Sequence, residues 1–392
     1  MKLLHTSDWH LGQNFMAQSR LEEHQAFLVW LLKTIEQEKI DILLVSGDIF
    51  DTTTPPNYAL ELYYNFLTQC SKVCKHIVIT AGNHDSVATL KAPQQLLETL
   101  HIHVITNGEE ENEVLPLYKE GKMCAIVCAV PFLRDGVVRK SLSGESLKEK
   151  EKALTLGIQE HYKRVYQEAL KLKGSQEIPI IAMGHLTTLG SQQSDSEREI
   201  YIGNTLSIES SFLENMFDYV ALGHLHVSQR VGNGCVYYSG SPIPLSFSEA
   251  TTQKSVQIVV FERLTCKVTQ KPIPLYRKLI VLQGDMKEIL KELESIEEQT
   301  VWIEVHLRDE NPMYANEIIR KKAQELGLSI LALKIDKKEK LLHNQEVAML
   351  SLDEVSPLEV FLKRLEKEQL KDETLQKALI QEFTKILDEV NR

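Results

Sequence analysis

Positive charge is the first thing this sequence lacks. Across 392 residues, 44 lysines and arginines stand against 55 aspartates and glutamates, a formal net charge of −11. A chain-wide basic surface, the usual footprint of a protein that grips nucleic acid unaided, is therefore excluded. No uncharged apolar run approaches about 18 residues, so no membrane-spanning helix is expected. The N-terminus MKLLHTSDWHLG meets acidic and aromatic residues too soon to supply the apolar stretch of a signal peptide. No GxxxxGK followed by Ser or Thr occurs, so any dependence on ATP has to come from outside the chain.

Cysteine is sparse and lacks metal spacing. The six residues lie at 70, 74, 124, 128, 235 and 266, with two i,i+4 pairs in apolar surroundings such as MCAIVCAV. Zinc sites favour closer pairs, and secreted disulfide frameworks favour shorter chains. The expectation is six buried free thiols in a reducing compartment, the cytoplasm.

What the chain does have is 43% hydrophobic residues, enough for two or three domains with their own cores. Residues 2–6 form a short apolar run that delivers SDWHLG. Residues 22–38 follow with helical spacing of Phe27, Leu28, Leu31, Leu32 and Ile35. IDILLVSGDIFD, HIVITAGNHDS, IPIIAMGHLT and FDYVALGHLHV then repeat one arrangement, an apolar strand with Asp, Asn or His at its C-terminal end. Open α/β sheets place their chemistry there. A charged helical insertion occupies about 134–175, and the domain is expected to span 1–270.

A βαβαβ pattern follows over 276–340 and reads as a small separate domain covering the site. The tail, 354–392, carries two amphipathic helical pieces, the first opened by Ser356-Pro357. Packing on the body of the chain and docking a partner both remain open for it.

Five groups carry chemistry: Asp8 with His10, Asp48, Asn83 with His84, His185, and His224 with His226. Alternation along an extended segment puts Asp8 and His10 on one face. A carboxylate such as Asp48 can bridge two cations, and an amide oxygen such as that of Asn83 is a neutral hard ligand. Singly, a histidine at a strand end is ordinary. Together, Asp8, His10, Asp48, Asn83, His185, His224 and His226 supply mixed nitrogen and oxygen donors suited to two first-row metals. A binding module with a dead site would lack some of them, and none is missing.

The order DxH, GDxxD, GNHD, GH and GHxH resembles the calcineurin-like metallophosphoesterases. The fuller strings HTSDWHLG, VSGDIFDT, TAGNHD, MGHLT, ALGHLH and SGSPIPLSF are similar to the nuclease subunits of SbcCD-type double-strand-break repair complexes. The resemblance covers essentially the whole chain. It implies a four-layer α/β/β/α sandwich with a small α+β cap and C-terminal helices that dock an SbcC-like coiled-coil ATPase. It implies one metal on Asp8, His10, Asp48 and His226, and a second on Asp48, Asn83, His185 and His224, with Mn²⁺ the expected ion. His84 would stand at the scissile phosphate as a catalytic residue beside Asp48. Asp85 would orient His84 or make a local turn contact. Relatives often carry a second histidine after the GD motif, where this chain has Asp51.

The implied activity is 3′-to-5′ exonuclease action on duplex DNA ends and endonuclease action on hairpins or blocked ends. The helix around 57–70, with Tyr58, Leu62, Tyr63 and Phe66, and its neighbour around 90–100 would pair two subunits within a heterotetramer, or simply cover the sheet. A phosphodiesterase or phosphatase for a non-nucleic-acid substrate would use the same ligands, and the net charge is its main support.

Overall fold

The structure is a computed structural model describing residues 1–108, 110–139, 146–197 and 208–335, with Phe383. The described residues up to 335 form one compact unit. The expected tail helices, 354–392, lie outside the described residues apart from Phe383.

The apolar runs become strands buried on both sides. Every residue of Ile42–Ser46 and of His76–Thr80 is buried. Leu43, Val45, Ile77 and Ile79 face a helical layer, whereas Ile42, Leu44 and Val78 face a second sheet. Strands covered on both faces read as continuous hydrophobic runs, which is why alternation is absent there. The first sheet runs Thr265–Pro272, Ser255–Glu262, Lys2–Thr6, Ile42–Ser46, His76–Thr80, Ile102–Ile105. Its last four strands are parallel.

The second sheet runs Gln229–Val231, Val236–Tyr238, Tyr219–Gly223, Ile180–His185, Lys122–Ala129, Val114–Lys119. Its four inner strands are also parallel. Leu3, Leu44, Val127, Met183 and Ala221 meet in the core between the sheets. Leu21–Glu38 and Asn57–Cys70 cover the first sheet, and Leu147–Lys173 covers the second. The result is a four-layer α/β/β/α sandwich with the C-terminal ends of its central strands at one edge.

A three-stranded parallel sheet, Leu279–Gly284, Trp302–Leu307 and Ser329–Ile335, follows with helices Met286–Glu294 and Pro312–Glu325. Alternation divides its central strand. Ile303, Val305 and Leu307 pack under the helices, and Trp302, Glu304 and His306 take the opposite face. Trp302 stacks on Phe15, with centroids 5.5 Å apart and planes 6° from parallel. The Arg20 guanidinium lies 5.1 Å from the centroids of both rings, and that of Arg277 lies 4.6 Å from Trp302.

The cysteines depart from expectation. Cys70, Cys74 and Cys128 are buried free thiols, but Cys124 is only half-buried. Cys235 and Cys266 are joined in a disulfide. Cys266 lies in an edge strand of the first sheet and Cys235 in the turn just before Val236–Tyr238 of the second, and both pack on the core between the sheets. Their separation of 31 positions gave no hint of that meeting. No described helix is long and apolar enough to cross a membrane.

Candidate metal centre

All seven candidate ligands and His84 come together at the strand ends. Ladder contacts continue past the strands: Asp8 N–H donates to the Gly47 carbonyl at 3.0 Å, and His10 N–H to that of Asp48 at 3.0 Å. The loops are tightly wound. Asp8, His10, Asp48 and His224 have φ of 53°, 46°, 48° and 94°. Left-handed backbone at four non-glycine residues costs energy and persists where surrounding contacts impose it.

Glycine allows the close approach. A Cβ on Gly82 would lie 2.1 Å from Asp48 Oδ1, and one on Gly223 would lie 1.8 Å from the Ser46 carbonyl oxygen. The glycine of GNHD thus lets two loops of the first sheet meet, and that of GHLH lets the two sheets meet, without side chains between them.

Asp48 sits at the centre. Its Oδ2 is 3.3 Å from His185 Nε2 and 3.6 Å from His10 Nε2, and its Oδ1 accepts the His84 N–H at 2.9 Å. Asn83 Oδ1 lies 2.9 Å from His185 Nε2. Asp8 Oδ1 accepts the His224 N–H at 2.8 Å, and the His185 and His224 rings are 5.3 Å apart. The His10 ring lies 5.2 Å from His226 and 4.8 Å from His84.

Nδ1 of several rings is occupied. His185 Nδ1 donates to the Ser46 carbonyl at 3.2 Å, His10 Nδ1 to Asp51 Oδ1 at 3.1 Å, and His84 Nδ1 to the Asp51 carbonyl at 2.7 Å. Such bonds fix the tautomer and leave Nε2 for a ligand.

Burial opposes ionisation of Asp48, but the neighbouring His185, with His10 and His84, holds its carboxyl well below the usual range. Burial also opposes charging of His185, and Asp48 and Asp8 overturn that, raising its pKa to about 9. His224 stays neutral because burial and the charge of His185 depress it.

The donors fit cations. His10 Nε2 is a buried polar atom with no hydrogen-bond partner. Ligand atoms of Asp8, His10 and His226 lie within 4.8 Å of one another, as do those of Asp8, Asp48 and His185, and those of His10, Asp48 and His84. Mixed imidazole, carboxylate and amide donors suit first-row divalent metals.

Known families match most of the chain. The calcineurin-like phosphoesterase family matches residues 1–228, and the type 5 capsule protein repressor C-terminal domain family matches residues 275–369. The chain is 39% identical to SbcD, the nuclease SbcCD component of Escherichia coli strain K12, over 99% of this chain and 98% of the relative. It is 30% identical to SbcD from Bacillus subtilis, over 90% and 91%.

The chain belongs to the SbcD family of calcineurin-like phosphoesterases.

Among solved structures, a dimetal phosphatase from Danio rerio aligns with 12% identity and a TM-score of 0.40, covering 69% of this chain and 98% of that one. Membership of the SbcD family and the clustered donors make the centre a dimetal site.

Asp85 takes the turn role. Its carboxylate accepts the N–H groups of Gly82 at 2.8 Å, Ile49 at 3.1 Å and Phe50 at 3.0 Å. Four supports of His226 left no signal in the sequence: Ser196, Glu197, Glu249 and Lys254, which reach it from distant parts of the chain. Glu197 Oε1 accepts its N–H at 2.7 Å, and Lys254 Nζ donates to its carbonyl at 2.9 Å. The centre opens on a cleft of about 550 Å³ whose walls include His10, Asp51, His84 and His226, and from the three-stranded unit Glu304, His306 and Lys334.

Proposed function

We propose that this protein is a two-metal-dependent DNA nuclease, with Mn²⁺ as its working ion. The observation that carries the reading is Asp48, whose single oxygen Oδ2 lies within 3.6 Å of histidines from both halves of the sandwich. Asp8, His10, Asp48 and His226 would hold one ion, and Asp48, Asn83, His185 and His224 the other, with Asp48 as the bridge. The chemistry such ions supply is neutralisation of the phosphodiester and a water of lowered pKa.

The residues of the chain do the rest. Asp8 and Asp48 set the negative charge of the centre, and the Nδ1 contacts of His10 and His185 hold their rings in one orientation. His84 has Nδ1 on the Asp51 carbonyl, so Nε2 is the nitrogen assigned to the scissile phosphate or leaving oxygen. His84→Ala should lower turnover by about 10²–10⁴-fold with metal content unchanged. Lost metal with lost activity would make His84 structural.

Relatives are named as subunits of SbcCD nucleases. Those names carry over a nuclease working with a second subunit; from the resemblance of the motif strings we further assign 3′-to-5′ exonuclease action on duplex ends, endonuclease action on hairpins or blocked ends, and an SbcC-like ATPase partner docked on residues 354–392. Residues 276–340 serve as a cap that narrows the approach to the site. Two copies pair through the helices near 57–70 and 90–100, a reading supported by Leu96 and Leu100, which are exposed there. The partner supplies much of the basic DNA-binding surface that a chain of net charge −11 lacks, and the complex works in the cytoplasm.

The test is cleavage of a labelled hairpin and a blunt duplex with Mn²⁺, Mg²⁺ or EDTA, beside Asp48→Ala and a small chromogenic phosphodiester. Mn²⁺-dependent DNA cutting that disappears in Asp48→Ala supports the proposal. Hydrolysis of the small ester without DNA cutting, even with the partner added, would move the assignment to a non-nucleic-acid phosphodiester.

A further inference from the structure

His226 is held at three atoms by a polar cluster, buried at Glu249 and Lys254 and half-buried at Ser196 and Glu197, that has no part in the chemistry above. Its N–H and carbonyl are taken by Glu197 and Lys254. Its Nδ1 lies 2.5 Å from Ser196 Oγ, which donates onward to Glu249 Oε1. Glu249 Oε2 accepts from Lys254 Nζ at 2.5 Å and from Leu245 N–H at 3.2 Å. Lys254 Nζ also donates to Ser241 Oγ at 2.8 Å, and its bond to the His226 carbonyl closes the circuit.

Both charges of this pair are out of water, with Glu249 at 1% and Lys254 at 5% exposure. Taking a carboxylate and an ammonium from water is costly, and the cost is repaid only with good geometry and further hydrogen bonds. Here two of those further bonds, from Lys254 to the His226 carbonyl and from Ser196 to Glu249, tie the pair to one histidine. With the Lys254 ammonium on Oε2, Glu249 is a carboxylate and acts only as an acceptor. Its Oε1 therefore takes the Ser196 proton, which leaves Ser196 Oγ to accept Nδ1–H of His226 and Nε2 to face the centre.

We propose that Ser196, Glu249 and Lys254 form a relay that positions His226 as a metal ligand, with Ser196 setting its ring. His10 and His185 reach the same end through direct contacts, Asp51 and the Ser46 carbonyl. For His226 the orienting carboxylate lies one hydroxyl further away. Ser196 also lines the cleft, so the relay ties the cleft wall to the centre. The inference rests on the two-ion reading.

Manganese titration of the full chain by calorimetry, joined to melting temperatures in EDTA, tests it. Wild type should take up two ions. Ser196→Ala should weaken one of them by about 10–100-fold and leave the other unchanged. Ser196→Thr, which keeps the hydroxyl, should restore it. Glu249→Gln, which keeps the volume, should weaken the same ion. Melting in EDTA should be the same for wild type and both Ser196 variants. Wild-type binding of both ions by Ser196→Ala overturns the relay. So does a lowered EDTA melting temperature in Ser196→Ala that Ser196→Thr fails to rescue, because the contact is then structural. Fewer than two ions on wild type overturns the two-ion reading, and the relay with it.

Discussion

Asp51 contacts two histidines of the centre with different atoms: its Oδ1 accepts from His10 Nδ1 at 3.1 Å, and its carbonyl accepts from His84 Nδ1 at 2.7 Å. Asp51, the last residue of GDIFD, is thus a support for two rings. Burial opposes charging of His10, and the bond to Asp51 with the charge of Asp48 outweighs it, raising its pKa.

Asp51→Ala removes the side-chain contact and keeps the carbonyl. The expected outcome is about 10–100-fold weaker binding of the ion assigned to His10, with the other ion unaffected. Asp51→Asn keeps an oxygen acceptor and should lose less. Manganese titration reads both, and wild-type affinity in Asp51→Ala would show that the contact orients nothing.

Gly223→Ala places a methyl 1.8 Å from the Ser46 carbonyl oxygen and 3.0 Å from His185 Nδ1. The first obstacle is backbone, so no rotamer change relieves it. A loss of about 3 kcal/mol or more is expected in urea unfolding, together with loss of activity. A variant that unfolds at the wild-type urea midpoint would mean the two sheets part more easily than their packing indicates.

His24 is buried and its pKa is pushed down to about 3, by burial first and then by Arg20 and His10. The unfolded chain binds that proton near pH 6.5. A depressed folded pKa contributes stability above 6.5, and the contribution is lost as pH falls from 6.5 toward 3. For this one histidine the loss is about 2 kcal/mol at pH 5. His24→Leu should therefore show a shallower fall in EDTA melting temperature between pH 7 and pH 5. Parallel curves would place the acid sensitivity elsewhere.

Trp302→Ala removes the ring stacked on Phe15 and flanked by Arg20 and Arg277. A loss of about 3–5 kcal/mol in the seating of the three-stranded unit is expected. DNA cutting should fall at least tenfold, while hydrolysis of a small chromogenic phosphodiester stays near wild type. An equal fall in both would mean that Trp302 supports the metal centre itself.

Much of the fold was legible because buried parallel strands and amphipathic helices write their burial into local spacing. Leu21–Glu38 agrees with the expected 22–38 to within one residue at its start. The region around 90–100, expected as one helix, is two short ones, Val87–Lys91 and Gln94–Glu98. Pro93 separates them, because it cannot donate the hydrogen bond a continuous helix needs there.

The candidate ligands follow from the order of residues alone. Each of Asp8, His10, Asp48, Asn83, His185, His224 and His226 lies within a few residues of a strand end, and that placement is local. What holds those candidates in place was settled by the packing of the sheets. Asp51 reaches His10 across 41 positions, Ser196 reaches His226 across 30 and then Glu249 across 53, and Cys235 meets Cys266 between sheets. Single hydrogen bonds between loops leave no periodicity in the chain. They exist because two sheets stack and bring those loops to one edge.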